Sequence, residues 1–174
     1  MDAHYEQVMA ARQKLADGPP RAYFAYSTIL DPAAFEEWRH QHGYDFFQLP
    51  TGTPAEGLDL GLVYDFPSRW WAGRVAGLED RPGAVVHGLV FEIAPKDWPI
   101  IQHKEGVITQ MCVERQVRVR TQAGERTATA FTTAPARKSL DGPVSPRFVE
   151  ALVRGARAAG LPEAWIAALG RSAG

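Results

Sequence analysis

The scarcity of long helices between strand-like segments constrains the fold of this chain more than any other feature of its sequence. Six segments have the apolar or alternating pattern of β-strands, at residues 22–27, 44–49, 59–66, 85–93, 113–120 and 126–133. Most of them are not separated by the helix of about 10–15 residues that parallel crossovers use. The order therefore predicts an α+β fold with a mixed, mostly antiparallel sheet. Glycines at positions 73, 77, 83 and 88 allow such a sheet to bend into a small closed β-barrel.

Helical segments flank these strands. Residues 3–16 have an amphipathic spacing that ends at Gly18-Pro19-Pro20. Asp31-Pro32 and Ser145-Pro146 each supply an N-cap followed by proline at the first helical position. A short helix is expected from near residue 97 to a glycine cap at residue 106. We expect a helical extension at residues 1–20 and a single domain at residues 21–170.

Composition indicates a cytoplasmic protein without a nucleic-acid or membrane partner. The 174 residues are 45% hydrophobic and 22% charged, and 19 basic against 20 acidic side chains leave a formal charge of -1. Such a balance produces no global field that favours nucleic acid or anionic lipid. The first residues lack the apolar core of a signal peptide. Cys112 is the only cysteine, so an internal disulfide is excluded, in keeping with a reducing compartment.

Familiar catalytic motifs do not occur. The chain has no G-x-S-x-G, Walker or G-x-G-x-x-G sequence. His40 and His42 would point to different faces of a helix, and no cysteine or paired carboxylate completes a ligand set. A lone cysteine at the start of a strand is typical of packing. We therefore expect no metal and no cofactor.

Glu105 occupies an unfavourable position. It lies in the last turn of the short helix before Gly106, where a negative charge opposes the helix dipole at a cost of roughly a few tenths of a kcal/mol. Taken alone, this position is typical of a solvated glutamate. The unfavourable dipole indicates that something other than helix stability places the carboxylate there.

Several short motifs in one order resemble a known family. They are Y-F-A-Y-S-T-I-L at 23–30, W-A-G-R-V-A at 71–76, V-H-G-L-V-F at 86–91, K-E-G-V at 104–107 and a V-x-V strand after them. The stretch from Pro146-Arg147-Phe148 to Leu161-Pro162 continues the pattern. Together they resemble the γ-glutamylcyclotransferase-like family over roughly residues 22–169.

The resemblance implies a fold, a reaction and a site. The fold is a small mixed, mostly antiparallel closed barrel with flanking helices. The reaction releases 5-oxoproline from a small γ-glutamyl substrate, with Glu105 as the general acid and base. The loop that would bind substrate comprises Tyr26, Ser27, Thr28, Ile29 and Leu30. Family members usually have Gly-Ser-Asn where this chain has Ser27-Thr28-Ile29.

Three functions remain open from the sequence. The first is the cyclotransferase reaction, and the second is a non-catalytic member of the fold that binds a small metabolite or a partner protein. The third is a barrel that binds apolar ligands among its aromatic residues. In the first two, Glu105 should lie in a cavity facing the 27–30 loop. A glutamate pointing into bulk solvent would contradict both.

Overall fold

Five strands close into a β-barrel in the computed structural model, which describes residues 3–172. They are β1 (Arg21–Ala25), β2 (Thr53–Ser68), β3 (Gly73–Ile93), β4 (Cys112–Thr121) and β5 (Gly124–Thr133). The order around the barrel is β1-β3-β2-β4-β5, and a parallel contact between Tyr23 and Thr129 joins β5 to β1. The other pairs are antiparallel. The predicted fold class is confirmed.

Within residues 3–172, five α-helices accompany the barrel. They are α1 (Ala3–Lys14), α2 (Pro32–Gln41), α3 (Trp98–Lys104), α4 (Pro146–Ala158) and α5 (Glu163–Arg171). Both predicted cap-plus-proline starts are confirmed. The Ala33 N–H donates to the Asp31 carboxylate at 3.2 Å, and the Phe148 N–H donates to Ser145 Oγ at 3.1 Å. Between residues 3 and 172, the structure has no helix that is both long and apolar enough to cross a membrane.

The strand predicted at residues 44–49 is wrong. This segment forms a turn in which the Phe47 N–H donates to the Tyr44 carbonyl at 2.9 Å. The buried Arg39 guanidinium donates hydrogen bonds to the carbonyls of Asp45 and Phe47 at 2.7 and 2.5 Å. Tyr44 and Phe47 supply the apolar pattern by pointing into the core at 0% and 3% exposure. A turn that buries two aromatic side chains in the core therefore has the same apolar pattern as a strand.

The strand predicted at residues 85–93 begins too late, because residues 73–84 belong to the same strand. Residues 73–84 belong to β3, which pairs with β2 in one long antiparallel hairpin. The register shifts between Leu58 and Leu60 and again between Tyr64 and Phe66, which marks bulges that bend the hairpin. The glycines here allow a strand to bend. A composition typical of a loop therefore belongs to the bent part of the barrel wall.

The core has two layers. One fills the barrel interior and consists of Phe24, Tyr26, Ala55, Leu60, Leu78, Val86, Val90, Val117, Val119, Ala128 and Ala130. The other lies between the barrel and the helices and contains Tyr23, Ile29, Phe91, Trp98 and Phe131, among others. Because side chains pack the interior, the third function, binding of apolar ligands among aromatic residues, would need a site outside the barrel lumen.

The N-terminal helix packs on the element that carries Glu105. Val8 of α1 is buried at 1% exposure. The Arg12 guanidinium pairs with Asp97 at the start of α3 and donates to the Lys96 carbonyl at 3.0 Å. These contacts connect α1 to the residues that immediately precede α3.

Candidate functional site

Glu105 ends α3 next to the barrel wall. Its N–H donates to the Ile101 carbonyl at 2.9 Å, and Gly106 follows with φ of +79°, which turns the chain away from the helix. The half-buried carboxylate accepts a hydrogen bond from Tyr23 Oη at 2.5 Å. Glu105 therefore points at a tyrosine of β1 rather than into bulk solvent.

Tyr23 is fixed by aromatic neighbours. It is 2% exposed, and its ring meets Phe131 edge-to-face at 5.5 Å and Trp98 edge-to-face at 6.2 Å between centroids. Burial, and then the adjacent Glu105 carboxylate, raise the pKa of Tyr23 well above its ordinary value. The phenol therefore stays protonated and serves as a hydrogen-bond donor to the carboxylate.

Tyr26, three residues further on, makes a different contact. Its Oη donates to the Phe131 carbonyl of β5 at 2.5 Å from within the barrel. Burial is the largest cause of its raised pKa, followed by the neighbouring Cys112 and Glu105. The structure therefore brings Tyr26 and Glu105 into one electrostatic environment, although Tyr26 is hydrogen-bonded to backbone.

Cys112 begins β4 beside these groups. Burial, followed by the charges of Glu105 and Asp65, raises the pKa of its thiol to about 12. Cys112 is consequently a neutral thiol near pH 7. That state is poor for a nucleophile and agrees with the packing role expected from the sequence.

The 27–30 loop contains no left-handed residue. Ser27 has φ of -118° and ψ of -155°, an extended conformation that any residue adopts. Thr28–Leu30 form one 3-10 turn in which the Leu30 N–H donates to the Ser27 carbonyl at 3.1 Å. Within residues 3–172, the N–H groups of Thr28 and Ile29 donate no hydrogen bond. The loop therefore needs no glycine and leaves two donors unused.

Packing against α4 holds this loop. Gly155 lies so close that a Cβ there would come within 2.8 Å of the Asp31 nitrogen and 3.0 Å of Leu30 Cβ. The Arg154 guanidinium binds the buried Asp31 carboxylate through Nε at 3.1 Å and Nη2 at 2.9 Å. Ile29 is 2% exposed. The loop conformation thus depends on α4, which lies more than 110 residues away in the sequence.

A cavity of about 360 Å³ opens beside the loop. Its lining is mostly apolar and includes Ile29, Leu30, Phe35, Leu49, Leu89 and Phe91. Glu105 and Tyr26 do not line it. The Tyr23 ring packs on Phe91, one wall of the cavity, with 6.1 Å between centroids. Tyr23 therefore stands between the carboxylate of Glu105 and the wall of this apolar cavity.

Asp65 on β2 is a second carboxylate whose charge, like that of Glu105, acts on Cys112 and Tyr26, and it was missed by the sequence reasoning. It is 5% exposed, and its Oδ1 accepts a hydrogen bond from Thr133 Oγ1 at 2.6 Å. It is the one charged residue in the apolar run L-G-L-V-Y-D-F at 60–66, and that is the signal that could have found it. We call Glu105, Tyr23, Asp65 and Thr133 the carboxylate corner.

Metal binding receives no geometric support. In the part of the chain that the structure describes, no group of three or more His, Cys, Asp or Glu side chains is arranged to hold a metal ion. The carboxylate corner instead offers one carboxylate bound by a phenol and another bound by a hydroxyl. This arrangement suits proton transfer and the binding of a cationic group.

Sequence comparison identifies a matching family model and similar proteins. The model of the AIG2-like family matches residues 85–169. A γ-glutamylcyclotransferase from Bos taurus is 30% identical over 146 residues, which span 84% of this chain and 75% of the bovine protein. A γ-glutamylcyclotransferase from Homo sapiens is 30% identical over 106 residues, which span 60% of this chain and 55% of the human one.

Solved structures agree with the sequence matches on the fold. A γ-glutamyl cyclotransferase superposes with a TM-score of 0.69 at 24% identity, covering 86% of this chain and 85% of the other. YkqA from Bacillus subtilis superposes with a TM-score of 0.74 at 19% identity, covering 97% of this chain and 58% of YkqA. At these identities the structural likeness establishes a shared architecture.

Proposed function

Because the chain belongs to the γ-glutamylcyclotransferase-like family, we propose that it releases 5-oxoproline from a small γ-glutamyl substrate. The observation that carries the proposal is the hydrogen bond from Tyr23 Oη to Glu105 Oε1 at 2.5 Å. It supports the proposal because it holds the carboxylate of the residue that the resemblance implies as the general acid and base. The substrate is the only partner proposed, and the proposed compartment is the cytoplasm.

The reaction is an intramolecular acyl transfer. The α-amine nitrogen of the γ-glutamyl group attacks its own γ-carbonyl carbon, and a new C–N bond closes the five-membered ring. The amide bond to the departing amine breaks. Counted from the α-ammonium, two protons leave the attacking nitrogen and two reach the leaving nitrogen, so the step consumes no water. Ring closure supplies proximity that is worth about 7–11 kcal/mol when the groups are well oriented.

Glu105 performs the proton transfers in this proposal. The ionised carboxylate first accepts a proton from the α-ammonium, which frees the lone pair that attacks, and donates that proton to the leaving nitrogen. The second proton, which the ring nitrogen loses on closure, follows the same route, so the leaving group departs as an ammonium. Such general acid-base catalysis contributes about 10²–10⁴ in rate. Tyr23 keeps one oxygen of Glu105 occupied, so the other oxygen faces the substrate. Tyr23 is therefore a positioning residue for Glu105.

The loop of Tyr26, Ser27, Thr28, Ile29 and Leu30 binds the anionic parts of the substrate in this proposal. The unused N–H groups of Thr28 and Ile29 support it, because backbone donors stabilise a carboxylate or a developing oxyanion without any particular side chain. The replacement of Gly-Ser-Asn by Ser27-Thr28-Ile29 then changes the side chains of the loop and keeps its donors.

A second candidate function is binding without catalysis. It is favoured by one observation, which is the apolar cavity beside Ile29 and Leu30 that Glu105 does not line. In this alternative the loop and cavity hold a small apolar metabolite, and Glu105 serves only as a hydrogen-bond acceptor. The two functions differ in whether 5-oxoproline is formed.

The deciding experiment measures 5-oxoproline. Purified protein is incubated with a panel of γ-glutamyl dipeptides and γ-glutamyl amines, and the product is quantified by chromatography. Glu105→Gln is the catalytic control, because it keeps the shape of the side chain and removes its basic carboxylate. We expect Glu105→Gln to lower kcat/KM by about 10²–10⁴.

The outcomes separate the two functions. No product from any panel member would favour binding without catalysis, and equal product from wild type and Glu105→Gln would remove Glu105 from the proposed role. A fold control is built in, because Glu105→Gln retains an acceptor for Tyr23 Oη and should unfold at a similar temperature.

A further inference from the structure

Asp65 is held rigidly in the barrel wall. Its Oδ1 accepts the hydrogen bond from Thr133 Oγ1, and its side chain is only 8% exposed. Gly77 on the neighbouring strand leaves the space that the carboxylate occupies. A Cβ at Gly77 would lie 2.6 Å from both Asp65 Oδ1 and Thr133 Oγ1. The backbone of β3 and a threonine of β5 therefore form a fitted cradle for one buried charge.

The cradle is linked to the surroundings of Glu105 through β4 and β5. Thr133, which binds Asp65, is the ladder partner of Cys112. Tyr26 bonds to the Phe131 carbonyl two residues earlier on the same strand, and Phe131 packs against Tyr23. The charges of Glu105 and Asp65 both contribute to the raised pKa of the Cys112 thiol. Two carboxylates thus approach the same end of β5 from different elements.

Positive charge is scarce at this place. Within residues 3–172, Glu105 has no Lys, Arg or His nitrogen within 4.0 Å. For Asp65 the nearest cation is Lys138 Nζ at 3.9 Å from Oδ2, and the Lys138 side chain is 47% exposed. That separation is too long for a hydrogen bond. In the same residues, Asp65 Oδ2 accepts no hydrogen bond.

Lys104 does not fill the gap. It precedes Glu105 in sequence, but its Nζ lies over the Trp38 ring, 5.7 Å from the centroid. Burial lowers its pKa, although the charge of Glu105 acts in the opposite direction. Buried carboxylates are normally paired or hydrogen-bonded. The negative charges of the carboxylate corner are therefore not neutralised by the described part of the chain, and a cationic group from outside the chain could pair with them.

We propose that Asp65 binds the α-ammonium group of the substrate through its free Oδ2. This inference rests on the proposed function. An ammonium group has three N–H donors, so one is held by Asp65 while another faces Glu105, which accepts its proton. Asp65 then orients the nitrogen that must attack. Recognition of the α-amine that the proposed reaction requires is then a property of Asp65.

The test compares two ligands that differ only in this amine. They are γ-L-glutamyl-L-alanine and glutaryl-L-alanine, which has hydrogen in place of the α-amino group. Binding is measured by calorimetry on the Glu105→Gln protein, with and without Asp65→Asn, because this background is expected to turn the first ligand over about 10²–10⁴ times more slowly. We expect Asp65→Asn to raise the Kd of γ-glutamyl-alanine by about 10-fold to 100-fold. The Kd of glutaryl-alanine should change by less than about twofold.

A matched control is Asp80→Asn. Asp80 lies on β3 of the same hairpin, its side chain is 83% exposed, and it pairs with Arg115. Its removal should alter neither ligand. Thr133→Val is a second probe, because it deletes the hydrogen bond that orients Asp65 and keeps the carboxylate. We expect it to weaken γ-glutamyl-alanine by an intermediate factor, and it keeps the proposal testable if Asp65→Asn does not fold.

Wild-type turnover of γ-glutamyl-alanine and of the substrate panel, measured in parallel, distinguishes the two proposals. If wild type forms 5-oxoproline and Asp65→Asn weakens both ligands equally or neither, the role of Asp65 is overturned and the proposed function stands. If no γ-glutamyl compound is turned over but Asp65→Asn still discriminates between the ligands, the catalytic proposal fails and amine recognition by Asp65 stands. Failure of both ligands to bind at millimolar concentration would overturn the role of Asp65.

Discussion

The carboxylate corner and the 27–30 loop are neighbours that are built in opposite ways. In the corner, Glu105 and Asp65 are charged groups held by one hydrogen bond each, from Tyr23 and Thr133. In the loop, Ile29 and Leu30 are apolar and buried, and α4 packs against their backbone. The corner keeps polar groups available, whereas the loop gains its shape from apolar packing.

This difference separates what each region contributes to stability and to chemistry. Burying a carboxylate that has one hydrogen bond and no close cation opposes folding, so the corner is expected to reduce stability. Burying Ile29 and Leu30 favours folding by about 1.5–3 kcal/mol for each side chain. Changes in the loop should therefore be seen first in stability, and changes in the corner first in activity or reactivity.

The largest effect on stability is expected from Ile29→Ala. Ile29 is 2% exposed, and truncation leaves a cavity in the layer between barrel and helices, so the free energy of unfolding should fall by about 2–5 kcal/mol. Urea unfolding measures it. Leu140→Ala, at a residue that is 69% exposed, is the control and should change stability by less than about 0.5 kcal/mol. Similar losses in both variants would contradict the packing account of the loop.

The next effect concerns the reactivity of Cys112 in the corner. Its pKa of about 12 means that thiolate is scarce at pH 8, so iodoacetamide should alkylate the folded protein up to about a thousandfold more slowly than an ordinary peptide thiol. Mass spectrometry follows the reaction. Glu105→Gln removes one cause of the raised pKa and should speed alkylation, while burial, the largest cause, keeps it slow.

The sign of the associated pH dependence follows from the same shift. Because the folded pKa is raised, the neutral thiol of Cys112 contributes stability that is fully present below pH 9 and is lost as the pH rises toward about 12. Alkylation of wild type at the rate of a free thiol, with the protein still folded, would be incompatible with the buried corner.

A smaller effect should distinguish the two tyrosines of the YFAY sequence. Tyr23→Phe removes a hydrogen bond to a carboxylate, so kcat/KM should fall by about tenfold. Tyr26→Phe leaves the Phe131 carbonyl without its donor, so the free energy of unfolding should fall by about 1 kcal/mol with a smaller loss of activity. Turnover and urea unfolding are measured on both variants. The reverse pattern would exchange the roles of the two hydroxyls.

The smallest effect is expected from Ser27→Gly. Ser27 has an extended backbone with φ of -118°, so glycine relieves no strain and adds freedom to the unfolded chain. Stability should fall by about 0.5–1 kcal/mol in thermal unfolding. An increase in stability would show that this loop prefers the glycine that family members usually carry.

The sequence predicted the fold class, the family and the position of most elements. Some features depend on only a few neighbouring residues and can therefore be predicted from the sequence. They are the alternation of strands, the cap-plus-proline helix starts and the glycine after Glu105. The errors have a common cause. The turn at residues 44–49 and the strand at residues 73–84 are decided by Arg39 and by β2, which are partners that a local pattern does not contain.

The site divides along the same line. Glu105 and the loop residues Tyr26 to Leu30 were predicted from motifs, and Asp65 left a signal as a lone charge in an apolar strand. Tertiary structure alone decided that Tyr23 donates to Glu105 and that Thr133 holds Asp65, because each pair joins residues more than 60 positions apart. It also explains the missing glycine of YFAYSTIL. Packing against Gly155 and Arg154 holds the loop in conformations that ordinary residues adopt.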